Sequence, residues 1–321
     1  MLYEDRIRRI YEDYRGKGVA VVAINPNNAK AVRLDEQGYT DVSDSLEEMK
    51  IRSAYRHREW PYLYDGETQA IAAKFGAVAT PHIFLFDRDR KLQYQGRIDD
   101  NVNESLIKSR DARVAIDALL AGKPVPVAET KAFGCTTKWI TKATGVEQEW
   151  ARIQGEPVRL TPAGADEIRK LRANGTDKIL LVHFWTNACP ACVNQFGDLE
   201  TTYRMYRNRS AKYASLDFVT VSMNGAAGQP AALGFLQKQY AGHANLEPTL
   251  DVQNLQAAFG VKWNPSTAFT AVITPDGKAV YTKEGKLDVL DLRRAILRHM
   301  PDVVAYPGQH AYWNSMSAAK N

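Results

Sequence analysis

Two thiols three residues apart are the most chemically pointed feature of this chain. Cys189 and Cys192 form a C-x-x-C pair with Pro190 and Ala191 between them. Disulfide exchange needs an attacking thiolate near neutral pH and a second thiol close enough to resolve the mixed disulfide. A C-x-x-C at a helix N-terminus supplies both, because the unpaired N–H groups and the dipole of the first turn stabilise S⁻ and lower a pKa that is about 8.5 in a free thiol. The residues from Cys189 to about Asn208 read as such a helix, with Pro190 suited to its first position. Cys189 is then the expected nucleophile, with its sulfur exposed, and Cys192 the more buried resolving thiol. Competing uses of the pair are weaker. Covalent haem attachment needs C-x-x-C-H, and residue 193 is Val. A zinc site needs two further ligands, and the chain has no second C-x-x-C and no H-x-x-x-H. Three cysteines also exclude a disulfide-stapled miniature fold, and the third, Cys135, stands alone as an expected semi-buried structural cysteine, the alternative being a resolving thiol for a cysteine of the first half.

The elements that must position these thiols are legible around them. Ile179–Trp185 (ILLVHFW) is a strongly apolar strand leading into the C-x-x-C, and Leu216–Met223 is a second buried strand. Thr161-Pro162 begins an expected helix through Leu171, Ala231–Tyr240 and Asn254–Phe259 read as helices, and Thr267–Ile273 and Lys278–Thr282 flank Thr-Pro-Asp-Gly as a hairpin before a closing helix at Leu287–Arg298. Upstream, Tyr3–Arg15 is an amphipathic helix followed by VAVVAI (Val19–Ile24), which has the look of a buried parallel strand. Helices are expected from Ser43/Ser45 to about Tyr55, over Thr68–Phe75 and over Ser105–Leu120, with an extended piece at Pro61–Asp65 and a hairpin at His82–Arg97. Residues 123–160 carry several Pro and Gly and read as irregular.

At 321 residues the chain exceeds one ordinary core, so two domains are expected. The 42 Lys and Arg against 37 Asp and Glu are dispersed without a basic stripe, which argues against nucleic acid as a partner. No apolar run approaches the ~20 residues of a membrane span, and the first ten residues contain no secretory apolar region.

The two halves repeat one another. Helix then VAVVAIN, over Tyr3–Asn25, matches helix then LDFVTVSMN, over Leu199–Asn224. QAIAAKFGAVATP (Gln69–Pro81) matches QNLQAAFGVKWNP (Gln253–Pro265), and a hairpin and terminal helix follow each proline. A shared order of elements in two unlike sequences marks a duplicated α/β unit.

With ILLVHFWTNACPAC, Phe259-Gly260…Pro265 and Pro275-Asp276-Gly277 in place, the second half resembles the thioredoxin-like superfamily, and within it the TlpA/ResA-like thiol-disulfide oxidoreductases, over roughly residues 156–300. Through YEDRI, VAVVAINPNN, YTDVSDSLEEMKIR, YLYDG, ATPHIFLFD and YQGRIDDN, the first half resembles the peroxiredoxin-like (AhpC/TSA-type) branch. The expected fold is α/β: two tandem thioredoxin-like domains, the first N-terminally truncated, over residues 1–122 and 156–321, with a connector at 123–155. The first half has no C-x-x-C; by the spacing of Cys189 to Asn224 its redox cysteine and central strand would precede Met1, so a longer natural chain is expected.

The resemblance implies roles for particular residues. Pro265 corresponds to the cis-proline packed against the C-x-x-C, with Asn264 before it holding an extended substrate backbone; Pro81 is the counterpart in the first half. His183 stands where thioredoxins place a buried acid that takes a proton from the resolving thiol, and imidazole titrates in a useful range. Trp185, Thr186 and Pro190 would border the substrate site, and Ala188 replaces the tryptophan usual before the first cysteine. Thr186-Asn187-Ala188-Cys189 also fits the T-x-x-C of peroxiredoxins, although position 182 is Val where a proline would be expected. Three readings follow: a thiol-disulfide oxidoreductase on protein disulfides, a thiol peroxidase, and a non-enzymatic protein-binding module. The first requires protein thiols or disulfides and an upstream reductant or oxidant as partners, and no cofactor beyond the dithiol. Such domains commonly act outside the cytoplasm, so a bacterial periplasmic place is expected if an upstream signal precedes the sequence, and a cytoplasmic one for the chain as written. His57, His82, His243, His299 and His310 show no ligand spacing, and the tail with Tyr306, Tyr312 and Trp313 would cap a domain or meet a partner.

Overall fold

A computed structural model describes residues 3–208 and 215–300. The tail with Tyr306, His310, Tyr312 and Trp313 lies outside the described residues. Two compact units divide the chain. The first comprises the described residues up to Val32 and Val42–Val146, and the second Arg33–Asp41 together with the described residues from Glu147 onward.

The first unit contains α1 (Glu4–Tyr14), β1 (Ala23–Asn25), α2 (Leu46–Tyr55), β2 (Tyr62–Tyr64), α3 (Ala70–Phe75), β3 (Ala79–Thr80), β4 (Ile83–Phe86), β5 (Leu92–Gly96), α4 (Asp111–Leu120) and β6 (Cys135–Thr136). Its strands form separate pairs: β1 parallel to β2, β4 antiparallel to β5, and β3 antiparallel to β6. Val19–Ile24 therefore departs from the expected buried strand. Only Ala23 onward is paired, and Val22 is 54% exposed. The final helix is also shorter than expected, a 3-10 turn at Glu104–Leu106 preceding α4. Beneath α1 and α4 lies a small core of Tyr3, Ile10, Tyr14, Ile98 and Ile116, against which Val21, Ile83 and Leu85 pack. Thr80–Pro81 is cis, as expected.

After α5 (Ala143–Gln154), the second unit runs β7 (Thr161–Ala163), α6 (Ala165–Ala173), β8 (Ile179–Trp185), α7 (Pro190–Tyr206), β9 (Leu216–Ser222), α8 (Gly225–Lys238), β10 (Ala244–Pro248), α9 (Val252–Phe259), β11 (Phe269–Ile273), β12 (Ala279–Glu284) and α10 (Val289–His299). Six strands make one sheet in the order β12-β11-β8-β9-β10-β7. β7, β10, β9 and β8 are parallel; β11 joins β8 antiparallel and β12 closes the hairpin.

β8 is central because every one of its seven side chains is buried. Leu180, Val182 and Phe184 pack with Ile168, Leu255, Phe259 and Trp263 on the α6/α9 face. Ile179 and Leu181 pack with Leu199, Met205, Tyr206, Leu292 and Ile296 on the α7/α10 face. Each large side chain buried this way contributes about 1.5–3 kcal/mol, so the α-β-α sandwich is held from both sides of one strand.

Local chemistry explains where the elements differ from expectation. Thr161–Ala163 is an edge strand, not the start of α6. The helix begins only after Gly164, whose N–H donates to Glu167 Oε2 at 3.0 Å. The expected irregular stretch contains α5, a half-exposed helix with Ile153 as its buried residue. α8 begins at Gly225, six residues before the expected start, with Pro230 inside it. β10 was not anticipated, since ANLEP is neither apolar nor alternating.

The segment Arg33–Asp41 supplies the second unit with more than packing. Asp41 accepts from Arg294 Nε at 2.9 Å, its carbonyl accepts from Arg293 at 3.1 Å, and the Tyr206 hydroxyl donates to the Thr40 carbonyl at 2.8 Å.

Candidate functional site

The C-terminal end of β8 delivers the dithiol. After Trp185 the chain turns through Thr186-Asn187-Ala188, closed by the Cys189 N–H donating to the Thr186 carbonyl at 3.1 Å. Cys189 is the N-cap of α7 and Pro190 occupies the first turn. Cys189 Sγ accepts from the Cys192 N–H at 3.1 Å, and the two sulfurs are joined as a disulfide. The two cysteines thus stand one turn apart and bonded to one another, as their spacing leads one to expect. The expected exposure is not found: Cys189 is 3% exposed and Cys192 wholly buried. Both lie in an apolar cluster with Trp185, Phe196, Ala232, Leu236 and Ala268, bordered by Val158, Leu160 and Phe235. Cys135 is exposed and outside the disulfide, not the semi-buried cysteine expected.

Pro265 does not take the place expected of it. The Asn264–Pro265 bond is trans, and Asn264, Pro265 and Ser266 form an exposed loop. The hairpin registers show why. Phe86 pairs with Leu92 across a bulge, and Ile273 pairs with Ala279 across the same irregularity. Counting back from these pairs, the position of Pro81 falls on Ala268, three residues beyond Pro265. Ala268 is fully buried and belongs to the disulfide cluster. The Phe-Gly…Pro match in sequence was real but out of register with the hairpin that follows it. Counting back from Asp-Arg-Asp-Arg and Thr-Pro-Asp-Gly would have found Ala268.

His183 is buried on β8 with Nδ1 2.9 Å from Thr270 Oγ1 on β11, the residue directly opposite it. Nε2 makes no hydrogen bond among the described residues. Burial holds its pKa down at about 3, so the imidazole is neutral over the physiological range. Thr220 on β9 and Asn245 on β10 continue this buried polar row, joined by a 2.6 Å hydrogen bond. Trp185 is wholly buried against Phe196 and Phe235, at ring separations of 5.4 and 5.0 Å, so it lies under the site rather than lining it. Thr186 Oγ1 donates to Asn224 Oδ1 at 3.1 Å, and the Asn187 N–H donates to the same oxygen at 2.9 Å. Asn224 as the anchor of this loop was not anticipated, although its place after the second strand was. Among the described residues there is no cluster of ligands able to hold a metal, and no helix is long and apolar enough to cross a membrane.

No family model matches the chain, and no curated protein matches it. Among solved structures, a hypothetical protein from Sinorhizobium meliloti 1021 is similar at 36% identity, over 43% of this chain and 71% of that one, with a TM-score of 0.37. A thiol:disulfide interchange protein of the thioredoxin family from Chlorobium tepidum TLS is similar at 20% identity over 40% and 83%, TM-score 0.32. A secreted Mycobacterium tuberculosis disulfide oxidoreductase homologous to E. coli DsbE is similar at 20% identity over 39% and 84%, TM-score 0.29. By its own strand order, its antiparallel β11 beside the central β8 and its C-x-x-C at the head of the helix leaving that strand, the second unit has a thioredoxin-like fold.

Proposed function

We propose that the chain is a thiol-disulfide oxidoreductase acting on protein disulfides through Cys189 and Cys192. The observation that carries this reading is the Cys189–Cys192 disulfide at the N-cap of α7. In the reducing direction the Cys189 thiolate attacks a substrate disulfide, forming a mixed disulfide and releasing one substrate thiolate. Cys192 then loses its proton and attacks Cys189 Sγ. The second substrate thiolate leaves and the Cys189–Cys192 disulfide is restored. A dithiol of a partner protein returns the pair to its reduced form, and the same steps reversed describe oxidation of a substrate. The Cys192 N–H and the first turn of α7 favour the thiolate at Cys189.

His183 does not take the part expected of it: burial holds the imidazole neutral with a pKa of about 3, too low to take the Cys192 proton, and its hydrogen bond runs to Thr270 Oγ1. With 3% of Cys189 exposed, the oxidised form admits only a slender attacking group. The first half is a peroxiredoxin-like module in this reading, supported by the hairpin register it shares with the second, and tandem domains with a connector at 123–155 remain part of the proposal. A peroxidase is less well supported: the Thr186 hydroxyl gives its proton to Asn224 and is not aimed at the sulfur. A purely binding role gives the disulfide nothing to do.

Insulin reduction driven by dithiothreitol tests the reading. Cys189→Ser is expected to abolish the reaction, and Cys192→Ser to accumulate a mixed disulfide. Turnover that survives Cys189→Ser overturns the proposal, and Cys189-dependent peroxide consumption without protein-disulfide exchange would replace it with the peroxidase.

A further inference from the structure

A buried carboxyl group stands at the same edge of the sheet as the dithiol, outside the scheme above. Glu247 on β10 is 7% exposed, and neither carboxyl oxygen makes a hydrogen bond of ordinary geometry among the described residues. The Ser222 hydroxyl and the Gly225 N–H are the polar groups that act on it. β10 lies beside β9 with Leu246 opposite Val221, which brings Glu247 next to Ser222.

The hydrogen bonds leading away from Glu247 have a single direction. The Asn187 N–H and Thr186 hydroxyl donate to Asn224 Oδ1, and the Ala188 N–H donates to Thr186 Oγ1 at 3.4 Å. Asn224 Nδ2 and its N–H then donate to Ser222 Oγ at 3.0 and 3.4 Å. With both lone pairs of that hydroxyl engaged, its proton is the one group left to give, and Glu247 is the neighbouring acceptor. Each of these hydrogen bonds thus runs from the loop before Cys189 toward Ser222, beside which the Glu247 carboxyl lies. A chain of aligned donors is strengthened cooperatively by negative charge at its end.

We infer that Glu247 is a positioning residue for the loop carrying Cys189, acting through Ser222 and Asn224. This rests on the oxidoreductase reading for its consequence, and on geometry alone for the coupling. Ionised, Glu247 draws the chain taut and fixes Thr186–Ala188; protonated, it releases the pull and the loop loosens. Burial raises its pKa above the ordinary 4.5. The charged and titratable groups on the neighbouring elements do not compete. On β9 Asp217 is paired with Lys178; on α8 Lys238 lies at the far end; beside the start of β10 His243 is bound to Glu200; and on β8 His183 is neutral. β7 carries none.

The test uses the full chain with its disulfide formed. In amide NMR spectra, the Asn187 backbone and Asn224 side-chain resonances are expected to titrate together, with a midpoint above the ordinary carboxylate range. Glu247→Gln should abolish that titration while leaving resonances of β8 and α10 in place. Glu247→Leu, which removes the acceptor, should accelerate hydrogen exchange at Asn187. On the reduced protein, the pH profile of Cys189 alkylation should lose one inflection in Glu247→Gln. Resonances that do not titrate, or that titrate alike in native protein and Glu247→Gln, overturn the inference. A native protein whose dithiol does not exchange would defeat the oxidoreductase reading, while the amide titration still decides the role of Glu247.

Discussion

The neutral imidazole in the middle of the sheet has a measurable price in acid. Folded His183 takes up a proton only near pH 3, whereas an unfolded chain does so near 6.5, so the unfolded state binds the proton first as pH falls. The stability that depends on keeping His183 neutral is therefore complete above the unfolded value and is lost progressively between about 6.5 and about 3. At 1.36 kcal/mol per pKa unit the full loss is about 5 kcal/mol, of which about 2 kcal/mol has gone near pH 5. The perturbation is His183→Leu, which removes the titration and keeps an apolar side chain of similar size. Denaturant unfolding of native protein and variant at pH about 7.5 and about 5 reads the effect. The native protein should lose about 2 kcal/mol more than the variant between these conditions. Leu leaves the Thr270 hydroxyl without its partner, but that cost is the same at both pH values and cancels. Parallel losses in the two proteins would refute the reasoning and mean that the imidazole is charged or solvated in the native state.

Three further outcomes follow from named contacts. Burial alone would raise the Glu4 carboxyl, but Arg52 and Arg58 pull it down to about 2, so it stabilises the first unit above the ordinary 4.5 and that contribution fades as pH drops toward 2. Glu4→Gln leaves these arginines without their shared carboxylate and should cost about 3 kcal/mol at neutral pH, read by chemical denaturation; a change within experimental error rejects the pairing as a stabilising one. Of the three cysteines, iodoacetamide should label only Cys135 before reduction and all three after reduction under denaturing conditions, counted by mass spectrometry; two or three labels beforehand would contradict the disulfide. Amide hydrogen exchange at Ala20–Val22 should be much faster than over Leu216–Ser222, because the first run makes no ladder and the second is paired on both sides; equal protection would show that Val19–Ile24 is paired after all.

The site was legible where chemistry is local. C-x-x-C, the proline at the first turn and the seven-residue apolar strand before them depend on neighbours in sequence, and each was found where expected. What failed depended on distance. Whether Val19–Ile24 is buried depends on which strands flank it, and an apolar run cannot report that. Pro265 was misplaced because proline draws attention, while the buried position beside the disulfide is filled by Ala268, which draws none. The exposure of Cys189 is likewise a property of Phe235, Leu160 and Val158, supplied by other elements. Glu247 lies in a strand too polar to be recognised as one.

The nine residues Arg33–Asp41 make the two units inseparable by any single cut of the gene. A fragment starting at Glu147 would contain every strand of the six-stranded sheet and still lack the carboxylate and carbonyls that receive Arg293, Arg294 and Tyr206. A protease nicking the chain on either side of that stretch would leave a peptide noncovalently lodged in α7 and α10. Dissecting this protein therefore calls for a graft of the stretch onto the C-terminal piece, not a truncation.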